Sequence, residues 1–275
     1  MSRTTSKKTM FYMASSFVVV TMFGLLMLLT IFSTYTEGAQ MQDTLTQHLT
    51  DAPPEAPPAY VPAPVEEEPE PEEVYIPETF PLPYGVVLPE VDFDALREIN
   101  PDIVGWIILE GTPINHPVVQ GENNYHYLNH LFDGRRNSAG TIFADTYNRP
   151  GFVDHNTILY GHNMHDGGMF SAIRRFRSQE FFDAHPMAFL LTPEGSYVIR
   201  FFAGHTTDVH SQSWRIQFAG EYEFAAWIAE NRERSDFVSD VEVGPTHRIV
   251  TLATCTTSWA SDARYVVLGR VMPVG

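Results

Sequence analysis

From Thr9 to Thr36 the chain carries no charged side chain, and residues 11–32 (FYMASSFVVVTMFGLLMLLTIF) are almost wholly apolar. At a helical rise of about 1.5 Å per residue this run reaches roughly 33 Å, enough to cross the hydrocarbon core of a bilayer. A cleaved signal peptide is the competing reading, but its apolar core runs only about 7–15 residues before a small-residue cleavage site. The length favours an uncleaved transmembrane helix over 11–35, preceded by a short N-terminus at 1–10. Arg3, Lys7 and Lys8 come before the run and only acids follow closely after it. The positive-inside rule therefore predicts a cytoplasmic N-terminus, a single pass through the cell membrane, and an extracellular remainder.

The net charge of −17 divides along the same lines: +3 over residues 1–36, −11 over 37–80 with no Lys or Arg, and −9 over 81–275. No segment offers the basic face that displaces counterions from phosphate, so a nucleic-acid partner is excluded. Residues 51–83 hold 11 of the 20 prolines, interleaved with glutamates (APPEAPPAYVPAPVEEEPEPEEVYIPETFPLP). Proline lacks the amide donor and the glutamates repel one another, so this text cannot build a packed core. Residues 36–85 are thus predicted to be a Pro/Glu-rich extracellular linker, extended and polyproline-like. A ligand for a proline-binding module is the other reading of the same segment.

Residues 86–275 read as one folded domain without internal repeats. "FDALREI" has a helical pattern that should stop at Asn100-Pro101, because proline disfavours helix in the residue before it. Strands are expected at Val104–Leu109, in "INHPVVQ", "TIFAD" and "NTILY", on either side of the Pro-Glu-Gly turn in "AFLLTPEGSYVIRFFAG", and in "HRIVTLATC" and "RYVVLGRVM". Met169, Ile173, Phe176 and Phe181 lie at helical spacing and predict one helix there. A second helix, acidic early and basic late, is predicted over about 221–235. Short strands at turn-rich intervals with few helices point to a mainly β fold, a β-barrel carrying helical insertions.

Three chemistry-bearing residues stand at strand ends, where a rigid strand releases into a loop. Cys255 follows an apolar strand, His162 follows Ile158–Tyr160 across Gly161, and Arg264 opens the last strand. A cysteine nucleophile needs a nearby base or cation to favour its thiolate, and His162 can act as that partner and as an acid toward a leaving amine. Arg264 stays protonated and can only donate hydrogen bonds, for instance to an oxyanion. Each residue alone also has an ordinary reading: a buried thiol, a structural imidazole, a surface charge. The sole cysteine of the chain forms no intramolecular disulfide and no cysteine-cluster metal site. His162-x-x-His165 has no convincing third ligand, so no metal and no organic cofactor is expected.

"TLATC" at 251–255, "YGHN" at 160–163 and "DARYVVLGR" at 262–270 together resemble the catalytic signature of sortases, the cysteine transpeptidases of Gram-positive cell walls. "NPDIVGWIILEGTPINHPVVQ" at 100–120, "YHYLNHLFDGRRNSAGTIFAD" at 125–145 and "GGMFSAIRRFRSQEFFDAHP" at 167–186 resemble the class B branch, as does the helix ahead of the cysteine strand. The resemblance spans about residues 88–273 and implies an eight-stranded sortase β-barrel. It also implies cleavage of a C-terminal sorting signal to a thioacyl-enzyme, which an amine of a peptidoglycan precursor or a pilin then resolves. By the same matching Cys255 is the nucleophile, His162 the acid/base and Arg264 the oxyanion and substrate ligand. Asn124, Leu128, Tyr160 and Thr254 are implied to line the peptide groove. Class B enzymes often have an acid one or two places after the cysteine and a serine two places before it. Here Thr256, Thr257 and Ala253 stand there, which bears on substrate recognition. The class tilts the expected signal toward an Asn-Pro type (NPxTx-like) over Leu-Pro (LPxTG). A hydrolytic cysteine peptidase and an inactive, membrane-tethered wall-binding scaffold are the competing functions.

Overall fold

The computed structural model describes residues 27, 33, 36–51, 78–255 and 263–275. Among these no helix is long and apolar enough to cross a membrane. The span expected at 11–35 lies almost wholly outside the described residues, as do most of the Pro/Glu-rich text and Thr256 and Thr257.

Eight strands close into a barrel: β3 (Ile103–Ile108), β4 (Asn115–Val119), β5 (Ile142–Ala144), β6 (Asn156–Tyr160), β7 (Met187–Thr192), β8 (Gly195–Asp208), β9 (Arg248–Cys255) and β10 (Ala263–Pro273). Around the barrel the order is β10-β8-β7-β3-β4-β5-β6-β9, and β10 pairs with β9 to close it. The pairs β4–β5 and β6–β9 are parallel and the others antiparallel. Adjacent residues of β10 feed different cores. Tyr265 and Val267 join the cluster that includes Leu159, Phe201, Val250 and Leu252, whereas Val266 and Leu268 join Ile158, Phe202, Phe224 and Trp227. Both faces of this strand are buried over Tyr265–Leu268, which explains the apolar run there.

The helices cover the outside. α2 (Phe93–Ile99) begins where Asp92 Oδ1 accepts the Ala95 amide at 2.9 Å, and it ends at Asn100 in extended conformation, as its proline neighbour requires. α4 (Glu221–Glu233) buries Phe224, Trp227, Ile228 and Asn231, a single stripe at helical spacing. The helix expected across 169–181 is instead two pieces, a 3-10 segment Ser171–Arg177 and α3 (Gln179–Ala184), with Ser178 extended between them. The break lets consecutive side chains both find cover: Phe181 packs edge-on to Phe176 at 4.9 Å, and Phe182 stacks on Phe237 at 4.3 Å.

The linker expected over 36–85 needs correction at both described ends. Residues 36–46 form a helix, α1, and Leu49–Asp51 form β1, antiparallel to β2 (Pro89–Val91). The reason is an apolar stripe four residues apart: Leu45 is buried with Leu96, Trp106 and Phe132, and Met41 and Leu49 pack beside it. At the other end the Phe80 amide donates to Pro273 O at 2.7 Å, tying the chain to the end of β10.

Candidate active site

Parallel pairing of β6 with β9 decides where the site lies. Tyr160 stands beside Ala253, so both strands release their carboxyl ends at the same end of the barrel. His162 comes two residues past one strand and Cys255 ends the other. Across the antiparallel neighbour, Cys255 is directly opposite Arg264 in the strand register. Residues more than 90 positions apart in sequence thereby meet at one rim.

A groove of about 470 Å³ opens at this rim. It is lined by His162, Arg264, Asn124, Leu128, Tyr160 and Thr254, six of the seven residues singled out from sequence, and Cys255 follows Thr254 directly. Sequence reasoning missed the apolar and aromatic walls: Tyr125, Phe143, Val209 and Trp214. Phe143 sits in the apolar "TIFAD" strand, where it reads as ordinary core. Trp214 ends a short 3-10 helix, Gln212–Trp214, that carries no distinguishing motif.

His162 is held by the main chain. Gly161, just before it, donates its amide to Ala253 O at 3.1 Å, and the amide of Phe170 donates to His162 O at 3.0 Å. A Cβ at 161 would lie 2.7 Å from the Phe170 ring, so only glycine lets the strand pass this side chain. The imidazole Nε2 is 2.8 Å from Leu128 O. A carbonyl only accepts, so Nε2 carries the hydrogen and Nδ1 is left as the nitrogen that can take up a proton.

Tyr160 is fixed from three sides. Its hydroxyl donates to Asp145 Oδ2 at 2.8 Å, and its ring lies 5.2 Å from Phe143 and 6.0 Å from Trp214. Trp214 is anchored in turn by its indole N–H, which donates to Asp208 O at 2.7 Å. Burial and then the Asp145 charge push the Tyr160 phenol well above its ordinary pKa, while Arg264 opposes weakly, so this group stays protonated. Asn124 accepts the Thr146 amide on Oδ1 at 2.9 Å. Thr254 is buried, and its Oγ1 has no hydrogen-bond partner among the described residues. The arrangement thus offers one imidazole with a defined proton, one guanidinium, and a partly aromatic channel between them.

The family model described as "Sortase domain" matches residues 107–272. The sortase B of Staphylococcus aureus is 35% identical over 183 residues, covering 66% of this chain and 75% of that protein. The sortase B of Listeria monocytogenes is 33% identical over 178 residues, covering 64% and 72%. Among solved structures, a Staphylococcus aureus sortase B–substrate complex superposes with a TM-score of 0.64 at 35% identity, covering 66% of this chain and 85% of that one. The sortase B of Bacillus anthracis in complex with AAEK1 does so with 0.67 at 28%, covering 88% and 99%. With a matching domain model, a closed eight-stranded barrel and class B relatives over most of their length, this chain belongs to the sortase family of transpeptidases, in its class B branch.

Proposed function

We propose that this protein is a membrane-anchored class B sortase that cuts a C-terminal sorting signal at Cys255 and joins the acyl part to an amine. The observation that supports the reading is the shared rim, where β6 and β9 end and β10 begins, with a groove lined by His162, Thr254 and Arg264 and with Cys255 next in the chain after Thr254. In the first step the Cys255 thiolate attacks the scissile carbonyl, and Arg264 donates to the oxyanion. Collapse breaks the C–N bond, and protonated His162 passes its proton to the leaving amine. In the second step an acceptor amine attacks the thioester, His162 takes the amine proton, and the thiolate is expelled. The aromatic channel shields the thioester from water, which favours the amine over hydrolysis.

Surface proteins bearing a sorting signal, NPxTx-like in preference to LPxTG, are the proposed acyl donors. A peptidoglycan precursor or a pilin amine is the proposed acceptor. The uncharged run at 11–35 would hold the protein in the cell membrane with its N-terminus cytoplasmic and its barrel outside.

The test is to incubate the purified protein with NPxTx-type and LPxTG-type peptides, with and without an added amine. An amine-dependent product lost in Cys255→Ala is expected. Cleavage indifferent to the amine would make the protein a hydrolytic cysteine peptidase, and no reaction with any peptide would make it an inactive tethered scaffold.

A further inference from the structure

We propose that Asp145, buried behind the groove, is a positioning residue that makes Tyr160 an acceptor, which pairs with Asn124, made a donor by the Thr146 amide, to receive a peptide unit of the sorting signal. The assignment rests on the sortase reading above.

Asp145 follows β5 and is only 5% exposed. Its amide donates to Ile158 O at 2.9 Å, and its carbonyl accepts from Gln120 Nε2 at 2.9 Å, so the barrel itself holds its backbone. Its carboxylate is used on both oxygens: Oδ1 accepts the Tyr147 amide at 2.8 Å and Oδ2 accepts the Tyr160 hydroxyl at 2.8 Å. A carboxylate cannot donate. The phenol hydrogen is therefore committed to Asp145, and what Tyr160 has left for the groove is its oxygen lone pairs. Phe143 and Trp214 hold the ring, so the phenol keeps this orientation.

The next residue orients the other group the opposite way. The Thr146 amide donates to Asn124 Oδ1, which commits the carbonyl of that side chain and leaves Nδ2 as what it can offer. Two consecutive residues, 145 and 146, thus give two groove-lining side chains opposite polarity. A peptide unit carries one C=O and one N–H and matches that pair: Asn124 Nδ2 donates to the carbonyl, and Tyr160 Oη accepts the N–H. A phenol free to rotate would serve a donor or an acceptor alike. Held by Asp145 it rejects a group of the wrong polarity, because a buried acceptor would then be left unmade.

The experiment uses the purified protein, an NPxTx-type peptide and an amine, with product followed by mass spectrometry. Asp145→Asn keeps an oxygen for the Tyr147 amide but turns an NH2 toward Tyr160, which reverses the phenol and points its hydrogen at the groove. Loss of an interaction made equally in ground and transition states raises KM and spares kcat; the expected result is a KM about tenfold higher or more, with kcat within about twofold. A second arm does not depend on that variant folding. Each peptide N–H of the substrate is replaced in turn by N–CH3. One position is expected to raise KM sharply in the wild type and to lose this effect in Tyr160→Phe. The assignment is overturned by an Asp145→Asn variant with wild-type KM, or by an N-methyl pattern that Tyr160→Phe leaves unchanged. A wild type that joins no sorting peptide to the amine would sink the sortase reading and the assignment with it, a result distinct from either of these.

Discussion

His162 takes its tautomer from a main-chain atom, the Leu128 carbonyl, and Gly140 keeps that atom in place. A Cβ at 140 would press on Tyr127 O and lie 3.0 Å from Leu128 O, and the residue's φ of +65° also suits glycine. Gly140→Ala is therefore expected to displace the carbonyl that orients His162. A shift of about 1 Å at a proton-transfer group can cost on the order of 100-fold, so kcat should fall between about 10- and 100-fold. Steady-state kinetics on a sorting peptide measures this, and an unchanged kcat would refute the role of the carbonyl. At this scale the readable residues were those with a local mark. Cys255 is the only cysteine and ends an apolar strand, and His162 sits in a strand–Gly–His text. Asp145 had no such mark among 34 acidic residues. Its importance comes from Tyr160, which the β5–β6 pairing brings alongside.

α4 and α1 show where pattern reading succeeds and where it fails for whole elements. α4 was legible because its buried stripe and its charge order, Glu221 and Glu223 early and Arg232 late, lie within one stretch. α1 was hidden because it abuts Pro/Glu-rich text and has few apolar residues, and what orders it is cover supplied by Leu96, Trp106 and Phe132. Leu45 is 2% exposed at that contact. Leu45→Ala is expected to cost about 2–5 kcal/mol in guanidinium unfolding if α1 is part of the cooperative core; a loss under about 0.5 kcal/mol would mean that it docks independently. The split between Ser171–Arg177 and α3 has the same cause. Helical periodicity describes one face of one helix, whereas Phe176, Phe181 and Phe182 answer to rings on other elements.

For the molecule as a whole, acid sensitivity follows from buried imidazoles. His116 is held down to about 4, from 6.5, by burial. His205 is held down to about 4 by burial and then by the Arg234 charge. Both bind a proton in the unfolded chain before they do in the folded one. Their contribution is complete above pH 6.5 and is lost as pH falls toward 4. The thermal midpoint should drop across that window, and His205→Gln should drop less steeply; an equal slope would assign the loss to carboxylates. A second molecular-scale expectation comes from composition. The only lysines are Lys7 and Lys8, so the segment that follows the apolar run has no amine side chain to compete as an acceptor. Mass spectrometry after turnover should find no sorting peptide in isopeptide linkage to residues 37–275, and such a linkage would refute the expectation. Local text was enough for the apolar N-terminal run, the eight strands of the barrel, the family and the candidate residues with reactive groups, because each depends on residue types within a short window. Barrel order, the parallel β6–β9 pair and the aromatic walls of the groove depend on contacts between residues far apart in the chain. Only closure of the barrel could set them, and with them the polarity that the substrate meets.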